Sequence, residues 1–394
     1  MGESAALRIN ITNETVQGGI IIMIMSKCVS MAIGVTMAAG LSFAANATEL
    51  KYVFGGSGSG LSDGAQKFAD VLAEETEGRY TAKVYIGNLF GYKETNGALS
   101  EGLGDVGFLV APYFRAEYPQ TNLIADLATA SSNPYAATGA LNEYYMSCKA
   151  CIEEFKAQNQ VMTGTMAIGP YYMYSKPRID SLETMEGQKI RGFGTFGRWV
   201  SEMGGSASNI SSNDVYSAMS QGVLSGSTHT PYTIINLSMG EVTDYLLDAP
   251  IGLGMGNALF STNLDVWKEL SDEDKRGYLK AVAYGNATAT AKYQASNLMV
   301  LESKPGEYGV EIIKPQADLL AKHEEFRKKD IDLIVKTAVE KYGIADAEER
   351  KDRFLELIAK WEKLVETIDY KDPEALGKLY NDEVFSKVDV TQFN

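Results

Sequence analysis

The residue best suited to ligand chemistry in this 394-residue sequence is Arg191, which closes a strand-like segment. It follows "MEGQKI" and precedes Gly192-Phe193-Gly194. An arginine at the end of a strand can direct its planar guanidinium at a carboxylate or a sulfonate and bind two of its oxygens. A surface arginine or an internal ion pair fits the same local pattern, so the sequence around Arg191 leaves these alternatives open.

Two cysteines form a C-x-x-C motif, Cys148-Lys-Ala-Cys151, within a segment predicted as one helix over about 135–157. The spacing favours a local disulfide bond in an oxidising compartment. A redox role is the alternative, although the surroundings are unlike those of thioredoxin-type motifs. A zinc site would need a second Cys or His pair nearby, and the sequence offers none.

The sequence contains only two histidines, His229 and His323. The "HEEF" at 323 lacks the H-E-x-x-H pattern of zinc hydrolases, and we expect it on an exposed helix. No Ser-His-Asp order or G-x-S-x-G elbow is present. These observations predict a protein without a catalytic site, a metal site or a cofactor.

A glycine loop follows the first predicted strand in "YVFGGSGSGLSDGAQKFADVL", residues 52–72. Nucleotide loops share this order of strand, glycines and helix, but the third glycine of a dinucleotide fingerprint is replaced by Leu61, and no Gly-Lys-Ser/Thr follows. Glycine backbone can approach a small ligand closely and donate N–H groups. We therefore predict that Gly58 and Ser59 contact a ligand that is not a nucleotide.

The amino-terminal region has the features of an export signal. Lys27 precedes the apolar run "CVSMAIGVTMAAGLSFA", which ends at Ala45-Asn46-Ala47. This pattern predicts a signal peptide that is cleaved after Ala47 and a periplasmic mature protein, with residues 1–24 as an over-extended start. The formal net charge of −15 argues against binding to nucleic acid.

The mature chain alternates predicted strands and helices, which indicates an α/β fold with parallel sheets covered by helices on both faces. The strands are predicted near 80–86, 106–111, 161–168 and 188–193, and further helices near 195–204, 213–221 and from 264 onward. Ligands in such folds bind where loops leave the carboxyl ends of strands. Pro112-Tyr113, Pro170-Tyr171 and Gly192-Phe193 occupy such positions.

The stretch 181–250 resembles the substrate-binding proteins of TRAP transporters, the DctP-like solute receptors. The similar segments are Leu182–Arg191, Met203–Ala207, Asp214–Val223 and Glu241–Leu246. The resemblance implies a periplasmic binding protein type II-like fold, with two α/β lobes, a ligand cleft between them and a long hinge helix. It also implies delivery of the ligand to the small and large membrane subunits of a permease.

The resemblance further implies a division of the chain. Residues 1–47 are the extension and signal peptide. Lobe I comprises 48–168 plus about 257–300, and lobe II comprises 169–256 plus about 301–394, including the carboxyl-terminal helices.

In the same family comparison, Arg191 falls on the carboxylate-binding arginine, and His229 lies on or beside a cleft asparagine. Tyr171 stands where some members carry a second arginine, and Ser225–His229 replaces an Asp-Gly-Gln-Glu-Asn segment. These departures leave the ligand of this chain open. The expected aromatic contacts, which either form a cage for a methylated cation or pack the lobes, are Tyr113, Tyr171, Tyr172, Phe193 and Tyr232.

We therefore expect an extracytoplasmic TRAP receptor that captures a small organic anion, a carboxylate or a sulfonate. A zwitterion such as a betaine, a sulfonium compound or ectoine is the alternative within this class. An exported redox enzyme that uses Cys148 and Cys151 is the alternative from another class. A receptor that signals to a sensor kinase would have the same sequence features.

Overall fold

The computed structural model describes residues 47–56, 60–87, 89–302 and 305–394. Residues 1–46, which are all of the predicted extension and signal peptide except its last residue, lie outside this part of the chain. Gly58 and Ser59 lie outside it as well, so their predicted ligand contacts stay predictions.

The described residues alternate strands and helices through the first two thirds of the chain and are mainly helical thereafter. The strands are β1 Thr48–Phe54, β2 Tyr80–Ile86, β3 Val106–Val110, β4 Gln160–Ser175, β5 Lys189–Arg191, β6 Ser206–Ser208, β7 Gly226–His229, β8 Tyr245–Asn263 and β9 Glu311–Ile313. The helices are α1 Gly60–Glu75, α2 Thr95–Ser100, α3 Pro119–Ala125, α4 Pro134–Ser147, α5 Lys149–Ala157, α6 Leu182–Met185, α7 Gly194–Glu202, α8 Ser212–Ser220, α9 Thr233–Asn236, α10 Leu264–Glu269, α11 Asp272–Glu302, α12 Ala317–Tyr342, α13 Ala347–Val365 and α14 Pro373–Glu383.

The strands of the described chain form one sheet in the order β2-β1-β3-β8-β4-β7-β5-β6, with β9 paired to β8. Parallel pairs occupy both ends, where β1 joins β2 and β3, and β5 joins β6 and β7. The middle differs from the all-parallel expectation, since β8 runs antiparallel to both β3 and β4, and β4 runs antiparallel to β7.

Two long strands, β4 and β8, run through both halves of this sheet. We call the half that contains β1–β3 lobe I and the half that contains β5–β7 lobe II. The long helix α11 also reaches both lobes. It packs along α1 in lobe I, and its Asn297 Oδ1 accepts a hydrogen bond from the Tyr232 N–H of lobe II at 3.0 Å. The fold is thus the expected pair of α/β lobes joined by long shared elements.

The predicted end of the strand at residue 168 is wrong, because β4 continues to Ser175. The register of its pairing with β8 shifts between Ile168 and Tyr171, around Pro170, which has no N–H to donate. Beyond this point Tyr172–Ser175 pair with β7, and Met173–Ser175 pair with β8 as well. Pro170-Tyr171 therefore lies inside a strand where it crosses between the lobes, and not in a loop.

The core of lobe I shows how the apolar pattern of α1 is used. Leu61, Ala65, Phe68 and Leu72 recur at helical spacing and are buried on one face. The Phe68 ring lies 4.9 Å from that of Phe260 in β8 and meets the ring of Tyr278 edge-on at 5.0 Å. This contact fixes α1 against the shared strand β8.

The predicted helix over 135–157 is two helices, α4 and α5, which meet at Cys148. The backbone of Cys148 is extended, with ψ of 92°, and its Sγ accepts a hydrogen bond from the Cys151 N–H. Cys148 and Cys151 form a disulfide bond across the first turn of α5. The exposed position expected for His323 is wrong, since its ring is buried and its Nδ1 accepts from Trp199 Nε1 at 3.0 Å.

Within the described residues, no helix combines the length and the apolar character required to cross a membrane.

Candidate functional site

A cavity of about 50 Å³ lies between the two lobes and is lined by residues from both. Its aromatic wall consists of Tyr92, Phe108, Tyr113, Tyr171, Phe193 and Tyr293. Its aliphatic wall consists of Leu61, Val110, Ile168 and Leu237. Its polar wall consists of Ser212, His229, Thr230, Thr233, Asn236 and Asn257.

Arg191 lies directly behind this cavity, at the end of β5. Its side chain is fully buried, at 0% exposure. Its Nη2 donates to Tyr113 Oη at 2.6 Å and to Ser212 Oγ at 2.9 Å, both on side chains that line the cavity. Its Nη1 donates to the Thr228 carbonyl at 2.9 Å. The guanidinium is thus held at the boundary between the lobes by neutral groups.

Among the described residues, no carboxylate oxygen lies within 4.0 Å of the Arg191 guanidinium. A buried charge without an opposite charge is costly, because hydrogen bonds to neutral groups replace only part of its lost hydration. Arg191 therefore gives the cleft a positive charge that an anion in the cavity would balance.

His229 ends β7 beside Arg191 and is held between two serines. Its Nε2 lies 3.1 Å from Ser212 Oγ, and its Nδ1 lies 2.8 Å from Ser227 Oγ. Burial, and secondarily the positive charge of Arg191, lowers the pKa of His229 well below its usual 6.5. The ring is therefore neutral at physiological pH and adds no charge to the cleft.

Aromatic rings from the two lobes meet beside the guanidinium. The Tyr113 ring of lobe I lies 5.2 Å from the Phe193 ring of lobe II. The Arg191 Cζ lies over Phe193, 4.6 Å from its centroid. Tyr171 stacks on Phe196 at 4.1 Å and is nearly parallel to the His229 ring at 6.4 Å. The structure thus brings together Arg191 and the predicted site residues Tyr113, Tyr171, Phe193 and His229.

Two other predicted site residues lie away from the lining of this cavity. Tyr172 packs in a separate apolar cluster that includes Ile234 and Leu246. Tyr232 packs edge-on against Tyr293 at 6.0 Å. Since successive side chains in a strand point to opposite faces, the cavity contact of Tyr171 places the neighbouring Tyr172 on the other side of β4.

The described part of the glycine loop receives a side chain from its own lobe. A Cβ atom on Gly56 would lie 2.2 Å from the Tyr92 hydroxyl, so only glycine fits there. The side chain of Asn213 connects this described part of the loop to lobe II. Its Nδ2 donates to the Gly55 carbonyl at 2.8 Å, and its Oδ1 accepts from the Tyr92 N–H at 3.1 Å.

Several residues that line the cavity were not predicted from the sequence, for different reasons. Ser212 follows Ser211, which caps α8. The "SSND" run is typical of the start of a helix, and it does not by itself indicate that Ser212 lines a cavity. Tyr293 lies in the middle of the long helix α11, where nothing in the local sequence indicates a ligand site. Phe108 and Val110 belong to a fully apolar strand, whose pattern shows burial but not its purpose.

A cluster of four charged residues, with buried aspartates and partly buried arginines, joins the lobes. We call its members, Arg115, Asp126, Arg198 and Asp330, the ion-pair cluster. Asp126 Oδ1 and Oδ2 accept from Arg115 at 2.5 and 2.9 Å, and Oδ2 also accepts from Arg198 at 3.1 Å. Arg198 binds both carboxylate oxygens of Asp330, at 2.7 and 2.9 Å. The cluster connects the end of α3 in lobe I with α7 and α12.

The charges of the ion-pair cluster shift one another. Burial would raise the pKa of Asp126, but Arg198 and Arg115 together outweigh burial and lower it. Burial raises the pKa of Asp330 despite its two hydrogen bonds from Arg198. Asp126 is therefore the firmly ionised member, because it alone has two guanidinium partners.

The described residues give little support to a metal site or to a redox role for the cysteine pair. These residues contain no group of three or more His, Cys, Asp or Glu side chains arranged to hold a metal ion. The disulfide at the start of α5 is buried, with Cys148 and Cys151 at 6% and 2% exposure, and neither cysteine lines the cavity between the lobes.

Two α/β lobes enclose a buried arginine that contacts no carboxylate of the described residues, an arrangement typical of two-lobed periplasmic binding proteins. The chain belongs to the bacterial extracellular solute-binding protein family 7, DctP, which it matches over residues 54–337. It is a solute-binding receptor of the TRAP-transporter type.

Solved structures of this type share its fold at low sequence identity. One is a marine metagenome TRAP solute-binding protein from an unidentified microbe, specific for aromatic acids and bound to metahydroxyphenylacetate. It has 18% identity and a TM-score of 0.69, over 80% of this chain and 99% of that chain. Another is an extracytoplasmic solute receptor from Bordetella pertussis that binds pyroglutamic acid (16% identity, TM-score 0.66, 78% and 99% covered). A third, from Chromohalobacter salexigens with bound D-glucuronate, has 17% identity, a TM-score of 0.65, and 78% and 99% coverage.

Proposed function

We propose that this protein captures a small organic anion in the periplasm and delivers it to the membrane subunits of a TRAP permease. The observation that carries the proposal is the fully buried Arg191, which has no carboxylate within ion-pair distance among the described residues. An anion in the cavity next to Ser212 and Tyr113 would supply the missing charge. Closure of the lobes would then exclude water and strengthen the ion pair.

The contacts of Arg191 explain how binding and closure would be coupled. Its Nη2 contacts Tyr113 from lobe I and Ser212 from lobe II. A carboxylate or sulfonate placed there would interact with groups from both lobes at once. The anion would therefore bind more tightly to the closed arrangement, and this difference in affinity is what shifts a receptor towards closure. The acids bound by the similar structures are compatible with such a ligand.

The test begins with protein purified from the periplasm and a thermal-shift panel of carboxylates, sulfonates, betaines, sulfonium compounds and ectoines. A ligand at about a thousand times its dissociation constant adds roughly 4 kcal/mol to the stability of the native state. Calorimetry of the best ligand then compares the wild type with Arg191→Met. We expect a loss of affinity of at least about 2 kcal/mol, because the ligand charge would be buried without a partner.

The matched control is Arg178→Met, which removes an arginine from a surface ion pair at 49% exposure. This variant is expected to bind like the wild type, since exposed ion pairs contribute little. An unchanged affinity in Arg191→Met would contradict the proposed role of Arg191. The mass of the purified protein tests the export prediction, which requires an amino terminus at Thr48.

A further inference from the structure

We propose that the cleft selects compact monocarboxylates with an apolar body and discriminates against dianions and quaternary ammonium zwitterions. This inference rests on the proposed function and specifies the chemical class of its ligand. The charge, the ring contacts, the polar groups and the volume of the cavity support it independently of one another.

The charge balance of the cavity favours a single negative charge. Among the described lining residues there is no Asp, Glu, Lys or Arg. His229 is neutral, since burial and Arg191 lower its pKa. Arg191 is therefore the buried formal charge next to this wall within the described chain. The other cation near the wall, the Lys93 ammonium 5.3 Å from the Tyr113 ring centroid, belongs to an exposed side chain and is screened by solvent. A monoanion leaves the closed cleft neutral, whereas a dianion leaves one negative charge and a zwitterion leaves the charge of Arg191 unbalanced.

The ring contacts argue against a cage for a methylated cation. A cage needs open aromatic faces around the cation. One face of Phe193 is covered by the Arg191 guanidinium. One face of Tyr171 is covered by Phe196, and the His229 ring lies nearly parallel to it. A second cation beside Phe193 would also be repelled by the first.

The polar groups in the wall already have partners in the protein. Thr230 Oγ1 lies 2.8 Å from the Tyr293 hydroxyl, and Thr233 Oγ1 donates to the Thr230 carbonyl at 2.6 Å. Asn257 Nδ2 donates to the Gly254 carbonyl at 2.8 Å. An apolar body leaves these contacts intact and needs no further hydrogen bond, whereas a ligand with many hydroxyl groups would depend on the remaining lone pairs and N–H groups of the wall.

The volume of the cavity favours a ligand with a small body. A space of about 50 Å³ is about a third of the roughly 150 Å³ of an engineered apolar cavity that holds benzene. The cleft therefore has less room for a sugar acid, with its ring and hydroxyl groups, than for a short branched acid.

Three probes of nearly equal shape isolate the charge. Tert-butylacetate carries one carboxylate on a trimethylated carbon. Glycine betaine is its isostere with nitrogen in place of that carbon, and gem-dimethylsuccinate replaces one methyl group with a second carboxylate. Calorimetry on the processed periplasmic protein at pH 7 measures the affinity of each probe. We expect tert-butylacetate to bind at least about tenfold more tightly than either isostere, and to lose this preference in Arg191→Met.

Each contrary outcome overturns a defined statement. Equal or tighter binding of glycine betaine overturns the monoanion inference and restores the aromatic cage, while the proposed receptor function stands. Tighter binding of dimethylsuccinate overturns it in favour of a dicarboxylate. If none of the three probes binds but another carboxylate of the wider panel binds through Arg191, the compact apolar body is wrong. If no anion of either set binds through Arg191, the proposed function itself fails.

Discussion

Two arginines at the boundary between the lobes, Arg191 and the partly buried Arg198, have opposite electrostatic surroundings. Arg198 contacts the carboxylates of Asp126 and Asp330. Arg191, only seven positions earlier in the chain, is more deeply buried and contacts hydroxyl and carbonyl oxygens instead. Both side chains span the interval between lobe I and lobe II, so position alone does not account for the difference.

The difference separates a structural cation from a binding cation. The charge of Arg198 is balanced within the protein, and its role is complete once the chain has folded. Within the part of the chain that the structure describes, the charge of Arg191 is solvated by neutral dipoles and has no carboxylate partner, which is costly for stability and useful for an anionic ligand. Substitutions at the two positions should therefore separate stability from affinity.

The largest effect is expected for Arg198→Ala. The substitution leaves two buried carboxylates, Asp126 and Asp330, without their shared partner, and we expect the free energy of unfolding to fall by about 3 kcal/mol or more. Urea denaturation followed by circular dichroism measures this change. In Arg191→Met, by contrast, a buried unpaired charge is removed, so the free energy of unfolding should remain within about 1 kcal/mol of the wild type or rise.

If Arg191→Met were as destabilising as Arg198→Ala, the distinction between the two arginines would be lost. The triple variant Arg198→Met, Asp126→Asn, Asp330→Asn provides a further control. It removes the charges together, and we expect it to recover much of the stability lost in Arg198→Ala.

A smaller effect is expected for Tyr113→Phe. This change removes the hydroxyl that accepts from Arg191 Nη2 at 2.6 Å and keeps the ring contact with Phe193. A hydrogen bond to a charged group contributes about 1.5–3 kcal/mol, and the unfolding free energy should fall by about the lower value because Tyr113 is partly exposed. Tyr172→Phe, outside the cavity lining, is the matched control, and equal losses in both variants would show that the Arg191 contact has no special weight.

The smallest effect is expected from pH on ligand affinity. The pKa of His229 is held well below 6.5 by burial and by Arg191, and Arg191 stays charged throughout this range. The affinity for a monocarboxylate should therefore be constant between about pH 5.5 and 8. Calorimetry at several pH values measures it, and an affinity that rises tenfold towards acid would show that His229 gains a proton in the site.

His229 should instead affect stability. Its pKa is lower in the folded than in the unfolded protein, so the unfolded chain binds more protons as the pH falls below about 6.5. The contribution of His229 to the unfolding free energy should decrease from that point towards acid. His229→Asn should lack this component of the pH dependence.

The local sequence around Arg191 predicted an arginine at the end of a strand but left a surface or ion-paired side chain open, and the fold buries it beside the cavity. Tyr171 and Tyr172 were both predicted as site residues, but only Tyr171 lines the cavity, since the strand continues through Pro170 and alternates its side chains. That continuation depends on a second pairing partner, β7, which lies some fifty residues downstream. The predicted lobe boundaries remain a prediction.

The ion-pair cluster shows what a single sequence does not reveal. Its four residues lie at positions 115, 126, 198 and 330, and only the folded chain brings them together. His323 was misplaced for a related reason. Glu324 and Glu325 in "HEEF" are charged and exposed, but α12 buries His323 against Trp199 on the same face as Phe326. Contacts between elements distant in the sequence determine both the ion-pair cluster and the burial of His323. Helical periodicity was informative only where many apolar residues repeated, as in α1.

The continuous strands β4 and β8 determine how this receptor can move. Lobes connected by loops can swing as rigid bodies about a few bonds, but here a two-stranded ribbon passes through both. Its pairing shifts register five times between Met162 and Met173, so bending can be distributed along its length. Opening of the lobes would therefore bend β4 and β8 along their length. The paired strands would limit the amplitude of this bending and favour a return to the unbent arrangement.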